Sequence, residues 1–174
     1  EIASSDWSSD VCSSDLTRLF VVPRSIPMIF PIVPLLRFLT SYPEQSTFSS
    51  ADFLNKLVQW YARRGIKVKC VQTDNGFEFT NRFSAGKRDL PTLFETTAAQ
   101  LGIRHKLIRP YTPRHNGKVE RSHREDQKRF YDSHSFFSLD DFSKQLAVHN
   151  RRTNNLPMRP LHWLSPNELN VQYV

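Results

Sequence analysis

From about residue 40 onward, apolar and polar positions follow two alternating periods. Phe53, Leu54, Leu57, Val58 and Tyr61 recur at helical spacing, which predicts a helix over 51–64 with one apolar face. Ser49 or Ser50 is the expected N-cap and Gly65 the expected stop. Residues 66–72 then read as a strand around Val68-Lys69-Cys70-Val71. A second helix is predicted over 90–100, closed by Gly102, and a second strand over 103–108. Pro110 ends that strand, because proline has no N–H to give to a ladder. A basic helix over 117–132 and a last long helix over 139–150 complete the pattern. Strands alternating with helices predict an α/β layer architecture, and no internal repeat or heptad run competes with it.

Composition narrows the classes. A chain of 174 residues fits one domain with a real core, and a net charge of +7 favours an anionic partner. Cys12 and Cys70 are the two cysteines, which excludes a disulfide framework and fits a reducing cytoplasm. Residues 17–34 are apolar but broken by Arg24 and by Pro23, Pro27, Pro31 and Pro34. No uninterrupted apolar stretch there approaches the ~20 residues needed to cross a bilayer, so no membrane role is expected. A secretory signal is not expected either, since no small-residue cleavage site follows a clean apolar run. The same prolines make a central strand implausible in this stretch.

The chemistry gathers in two places. Thr73-Asp74-Asn75-Gly76 puts an aspartate at the end of an apolar strand. Pro110-Tyr111-Thr112-Pro113-Arg114-His115-Asn116-Gly117-Lys118-Val119-Glu120-Arg121 leads into a glutamate in the first turn of the basic helix. Two carboxylates delivered this way among cations suit Mg²⁺, or Mn²⁺, and a phosphodiester substrate. Taken alone, Asp-Asn-Gly is a common turn, and Glu120 could simply complement the helix dipole. Their pairing tips both towards metal ligation. Arg121, Arg124 and Lys128 recur at helical spacing beside Glu120 and read as phosphate contacts, with Arg129 nearby. The bland alternative is a solvated charged face interleaved with Glu125 and Asp126. Arg109, Tyr111, Arg114, His115, Asn116 and Lys118 form a basic, aromatic loop and helix start that could hold a DNA end.

Other chemistries fit less well. No HExxH or paired CxxC accompanies the six histidines, so His115, His123 and His134 do not read as zinc ligands. Trp60, Trp163 and Phe136-Phe137 are expected in the core or at its edge. No motif supplies the nucleophile that a serine or tyrosine recombinase needs.

The residues from about Leu35 to Val174 resemble the catalytic core of bacterial insertion-sequence transposases, which share their core with retroviral integrases. The resemblance rests on T-D-N-G-x-E-F at 73–79, P-Y-x-P-x-x-N-G at 110–117, Arg159-Pro160-Leu161, and Ser165-Pro166-Asn167-Glu168, in that order. It implies an RNase H-like fold, a central mixed sheet flanked by helices, with an Asp, Asp, Glu triad. Asp74 and Glu120 match the second and third positions. The implied activity is Mg²⁺-dependent cleavage and strand transfer of DNA, in a homo-oligomer on transposon ends and target, in the bacterial cytoplasm with the nucleoid. The spacing from Asp74 to Glu120 is longer than usual, with the excess expected around 81–93, where 84–89 reads as a polar surface loop. An RNase H-type nuclease shares the metal logic but fits the 110–120 segment less well.

The front of the chain departs from that pattern. Residues 6–16 match the translation of a sequencing-library adapter, and residues 17–34 read as a frameshifted strand. A one-nucleotide shift at Ile29-Phe30-Pro31 can give Tyr-Ser-Arg, which commonly follows the first catalytic Asp in such cores. Residues 1–34 are therefore expected to be non-native and ill-defined, and 35–174 to be a core truncated at its first strands. The aspartates ahead of Phe38 are Asp6, Asp10 and Asp15, all in the adapter-like stretch, and none is assigned to the triad. The expectation is an inactive core, with a non-catalytic basic DNA-binding remnant as the alternative.

Overall fold

The computed structural model describes residues 36–82, 90–108 and 117–173, together with the backbone of Met28–Ile29. The expectations placed on 6–16, on the 84–89 loop, on Arg109, Tyr111, Arg114, His115 and Asn116, and on the Lys118 side chain lie outside the described residues. In chain order the elements are β1 (Met28–Ile29), α1 (Thr47–Ala62), β2 (Cys70–Thr73), α2 (Leu93–Gln100), β3 (Arg104–Leu107), α3 (Gly117–Arg129), α4 (Leu139–Asn155) and α5 (Pro166–Tyr173). Single 3₁₀ turns at Tyr131–Ser133 and Arg159–Leu161 follow α3 and α4.

β2 is the middle of the described sheet. It runs parallel to β3, from Cys70 beside Arg104 to Thr73 beside Leu107. The β2–α2–β3 passage is thus a crossover unit with both strand C-termini at the same end. β1 pairs antiparallel on the other side, Met28 with Gln72 and Ile29 with Val71. The 17–34 stretch therefore does contribute to the described sheet, though not as a central strand. It contributes two residues at an edge, after Pro27 and before Pro31, where a missing ladder donor is tolerated.

Several boundaries shift for local reasons. Ser46, not Ser49 or Ser50, caps α1, its Oγ accepting from the Ser49 N–H at 3.1 Å. α2 starts at Leu93 because Thr92 and Glu95 form a reciprocal capping box just after Pro91. β2 begins at Cys70 rather than 66, since the ladder with β3 starts there. α3 stops at Arg129, where Ser133 Oγ donates to the Arg129 carbonyl and the chain tightens into a 3₁₀ turn. α4 runs on to Asn155 because Asn150 and Asn154 are buried and keep its last turns packed. Ser165 and Glu168 cap α5 reciprocally, with Pro166 at its first position.

Two clusters of apolar side chains hold these elements. The larger joins the predicted α1 face (Phe53, Leu54, Leu57, Tyr61) to Val71, Phe79 and Phe94. Fully burying each such side chain contributes about 2 kcal/mol. The smaller packs Phe130 against Phe136, Phe142 and Leu146. Trp60 packs at the edge of the larger cluster, stacking under the Arg64 guanidinium at 3.5 Å. Phe137 and Trp163 are not in the core: they are 86% and 69% exposed. Phe137 sits just outside the Ser138 N-cap of α4, and His162-Trp163 both take left-handed backbone conformations that turn the chain away from the core.

Candidate functional site

Asp74 follows β2 directly, at the end of the sheet where β2 and β3 both finish. Open α/β sheets bind ligands at such carboxyl ends. Three contacts fix it there. Thr73 Oγ1 donates to the Asp74 carbonyl at 2.9 Å and lies 2.7 Å from His105 Nε2 on β3. Asn75 Nδ2 donates to the Ile108 carbonyl at 3.1 Å, tying the turn to the end of β3. Gly76 N–H donates to Asp74 Oδ1 at 3.1 Å, an Asx turn that orients the carboxylate. Burial pushes the Asp74 carboxyl above the usual carboxylate range; the Gly76 hydrogen bond opposes this and the nearby Glu78 charge adds to it. Burial also holds the His105 imidazole below its ordinary value, against the Glu95 charge and helped by Arg82. His105 also meets the Phe94 ring edge-on at 5.0 Å, so its imidazole supports the end of β2.

Glu120 is exposed in the first turn of α3. Arg121, Arg124 and Lys128 are exposed as well, and none of them is ion-paired among the described residues. At 3.6 residues per turn these three share one stripe, with Glu120 beside Arg124. Arg129 instead pairs with Glu125 at 2.9 Å, one turn earlier.

The opposite side of α3 carries a feature that its sequence does not announce. Asp126, which the bland alternative put on a solvated face, is buried between Arg37 and His149. Arg37 donates to its Oδ2, and His149 Nε2 lies 3.0 Å from Oδ1. Burial alone would raise this carboxyl, but the hydrogen bonds and charges of His149 and Arg37 hold it below the usual range. His149 also stacks on Phe130 at 4.6 Å. The helix that carries Glu120 is thereby locked to the segment at Arg37 and to α4. No apolar periodicity marks this: α3 reads Gly-Lys-Val-Glu-Arg-Ser-His-Arg-Glu-Asp-Gln-Lys-Arg.

Glu78 is the other residue to which sequence pattern gave no role, although it stands in the 73–79 string. It is 1% exposed and accepts from Gln45 Nε2 at 2.5 Å. Among the described residues no group of three Asp, Glu, His or Cys side chains is placed to hold a metal ion. The donors that are present, a strand-end carboxylate and a helix-borne carboxylate, are hard oxygens. That chemistry fits Mg²⁺, which takes one or two protein carboxylates and completes its shell with water and substrate phosphate. Among the described residues no helix is long and apolar enough to cross a membrane.

Comparison with known proteins bears on the fold. The integrase core domain family matches residues 101–156, the stretch that spans β3, α3 and all of α4 and includes Glu120 but not Asp74. A chain from the cryo-EM structure of the simian T-cell lymphotropic virus intasome in complex with the PP2A regulatory subunit B56 gamma superposes with a TM-score of 0.55 at 20% identity. The match covers 76% of the present chain and 43% of the viral one, so the chain spans less than half of that relative. The catalytic core domain of BIV integrase gives a TM-score of 0.53 at 22% identity, covering 78% of each chain. No curated protein sequence matches the chain. The fold is that of an integrase catalytic core: a mixed α/β layer structure around a small sheet with β2 and β3 parallel.

Proposed function

We propose that the chain is the core of a bacterial insertion-sequence transposase of the Asp-Asp-Glu type, acting on DNA phosphodiesters, and that it is inactive as it stands. The observation that carries this is Asp74, held half-buried at the shared carboxyl end of two parallel strands in an integrase-type fold. Asp74 and Glu120 would hold Mg²⁺, or Mn²⁺. When bound, such a cation stabilises charge on the phosphodiester and lowers the pKa of an attacking hydroxyl. Asp74 is suited to this because its turn fixes the carboxylate and its partial burial excludes bulk water from one side. Arg121, Arg124 and Lys128 supply cations for the DNA backbone along the same helix as Glu120. Arg109, Tyr111, Arg114, His115, Asn116 and Lys118 are proposed to hold the DNA end. The intact parent would assemble as a homo-oligomer on transposon ends and target, in the cytoplasm with the nucleoid.

Inactivity follows from the ligand set. The first Asp of the triad has no counterpart ahead of Phe38 outside the adapter-like stretch. With two carboxylates of three, cations would be held less firmly, and the reacting phosphate would lose positive charge that positions it. The net charge of +7 and the exposed Arg121, Arg124 and Lys128 also suit a second reading, a basic DNA-binding remnant without chemistry.

Nicking and joining of plasmid DNA in Mg²⁺ or Mn²⁺ tests the proposal. The expected result is duplex binding with no metal-dependent cleavage; robust strand transfer by this polypeptide would overturn the inactivity. Sequencing the source locus across the codons for Glu1 to Thr40 separates the two readings. An in-frame strand with an Asp ahead of Tyr-Ser-Arg supports a complete transposase. A locus that encodes the residues as they stand supports the remnant.

A further inference from the structure

Glu78 lies four residues beyond Asp74, and its placement follows from its neighbours. Phe79 is buried in the larger core cluster, with its ring edge-on to Phe94 at 5.0 Å. The N–H groups of Phe79 and Thr80 donate to the Gly76 carbonyl at 3.0 and 3.1 Å, closing a tight turn over 76–80. With Phe79 pinned inward, the side chain of Glu78 folds back over Gly76. A Cβ added at Gly76 would stand 2.5 Å from Glu78 Oε2 and 2.8 Å from its Cδ. Glycine is required there by this close approach and not by a positive φ.

The glutamate therefore links two hydrogen bonds in series. On one side Gln45, directly ahead of the Ser46 cap of α1, donates to Glu78 Oε1. On the other, the Gly76 backbone that Glu78 packs against donates to Asp74 Oδ1. Glu78 fills the space beside Gly76 that a Cβ would occupy, and it cannot withdraw without breaking its bond to Gln45. Burying a carboxylate is costly even when it is hydrogen-bonded, and an apolar side chain would fill the same space without that cost. A carboxylate here makes physical sense as part of the apparatus around Asp74.

We propose that Glu78 is a positioning residue for Asp74: its buried carboxyl, bonded to Gln45 and seated on Gly76, fixes the Asx turn that presents Asp74 to a divalent cation. The inference rests on the reading of Asp74 as a metal ligand given above. Glu78 itself acts through the turn and is not offered as a ligand.

The test uses Mn²⁺ alone as the probe and reads line broadening of the Asp74 and Gly76 amides by NMR in the full chain. Glu78→Ala is expected to weaken Mn²⁺ binding at Asp74 by roughly ten- to a hundredfold, the usual effect of losing a residue that orients a metal ligand. Glu78→Gln, which keeps the shape and an oxygen for Gln45, should bind close to the parent level. Phe142→Leu, in the separate smaller cluster, should lower thermal stability and leave Mn²⁺ affinity unchanged. If Glu78→Ala does not fold, Gln45→Ala removes the donor to Glu78 and should weaken binding in the same direction. Parent-level affinity in the Glu78→Ala or Gln45→Ala protein overturns the inference, as does an equal loss in Phe142→Leu. Asp74→Asn separates the two levels. If it binds Mn²⁺ like the parent, the metal reading of Asp74 fails and takes this inference with it. If it loses binding while Glu78→Ala does not, the positioning role alone fails.

Discussion

Asn154 makes both backbone hydrogen bonds of Arg37: its Oδ1 accepts from the Arg37 N–H at 2.8 Å, and its Nδ2 donates to the Arg37 carbonyl at 2.7 Å. A side-chain amide here does what a neighbouring strand would do for an extended segment. Asn154 is buried, so no water can take over. Asn154→Ala should therefore destabilise the fold by about 1–3 kcal/mol, two part-buried backbone groups being left without this partner. Urea unfolding would show this as a lower midpoint at unchanged slope; a loss below about 0.5 kcal/mol would mean the amide pairing is incidental.

The guanidinium of the same Arg37 meets Asp126, and this gives a pH dependence with a definite sign. The Asp126 carboxyl is held below its unfolded value by His149 and Arg37, which outweigh its burial. Its contribution is therefore fully present above the ordinary carboxylate range and is lost as pH falls through the depressed folded value. Asp126→Asn should cost about 3 kcal/mol at pH 7, because a buried pair loses one member. It should also flatten the acid limb of the stability curve. An unaltered acid limb in that variant would contradict the assignment.

Asp74 has the opposite sign. Burial and the Glu78 charge raise its folded pKa, so the fold favours the protonated form and loses stability as pH rises through that raised range. Asp74→Asn removes the unfavourable charge. It should raise the melting temperature at pH 7 and leave it nearly unchanged at pH 3, where the parent carboxyl is protonated in both states. A lower melting temperature at pH 7 would show that the charge is compensated.

Gly76→Ala places a methyl group within 2.5 Å of the Glu78 carboxylate, which is too buried to swing aside freely. The expected cost is about 1–3 kcal/mol, in the range of overpacked cores. In the double variant Gly76→Ala/Glu78→Ala that cost should shrink, since the atom it strikes is gone. Strictly additive losses would rule out the clash as the cause.

For DNA, the triple change Arg121→Ala/Arg124→Ala/Lys128→Ala should flatten the dependence of log affinity on log salt by about 2–3, near 0.9 for each phosphate that is no longer neutralised. An unchanged slope would move the DNA surface off α3.

What the sequence made legible follows from what periodicity can carry. The apolar stripe of α1 lies in plain view, and so do Asp74 and Glu120, which short strings flank. Asp126 was hidden because α3 has almost no apolar residues, and its buried side is polar. Gln45 and Glu78 meet with α1 and β2 between them in the chain, and Asn154 and Arg37 across most of the chain, so no local pattern could pair them. Phe137 and Trp163 misled for the converse reason: an aromatic side chain suggests a core, but a cap and a left-handed turn direct these two outward.

One titration bears most directly on the central claim that Asp74 and Glu120 are ligands of divalent cations. Mn²⁺ added to the full chain should broaden the amide signals around both Asp74 and Glu120, and Asp74→Asn should abolish the effect at Asp74. No broadening at either residue, or broadening at Asp74 that survives Asp74→Asn, would contradict the claim.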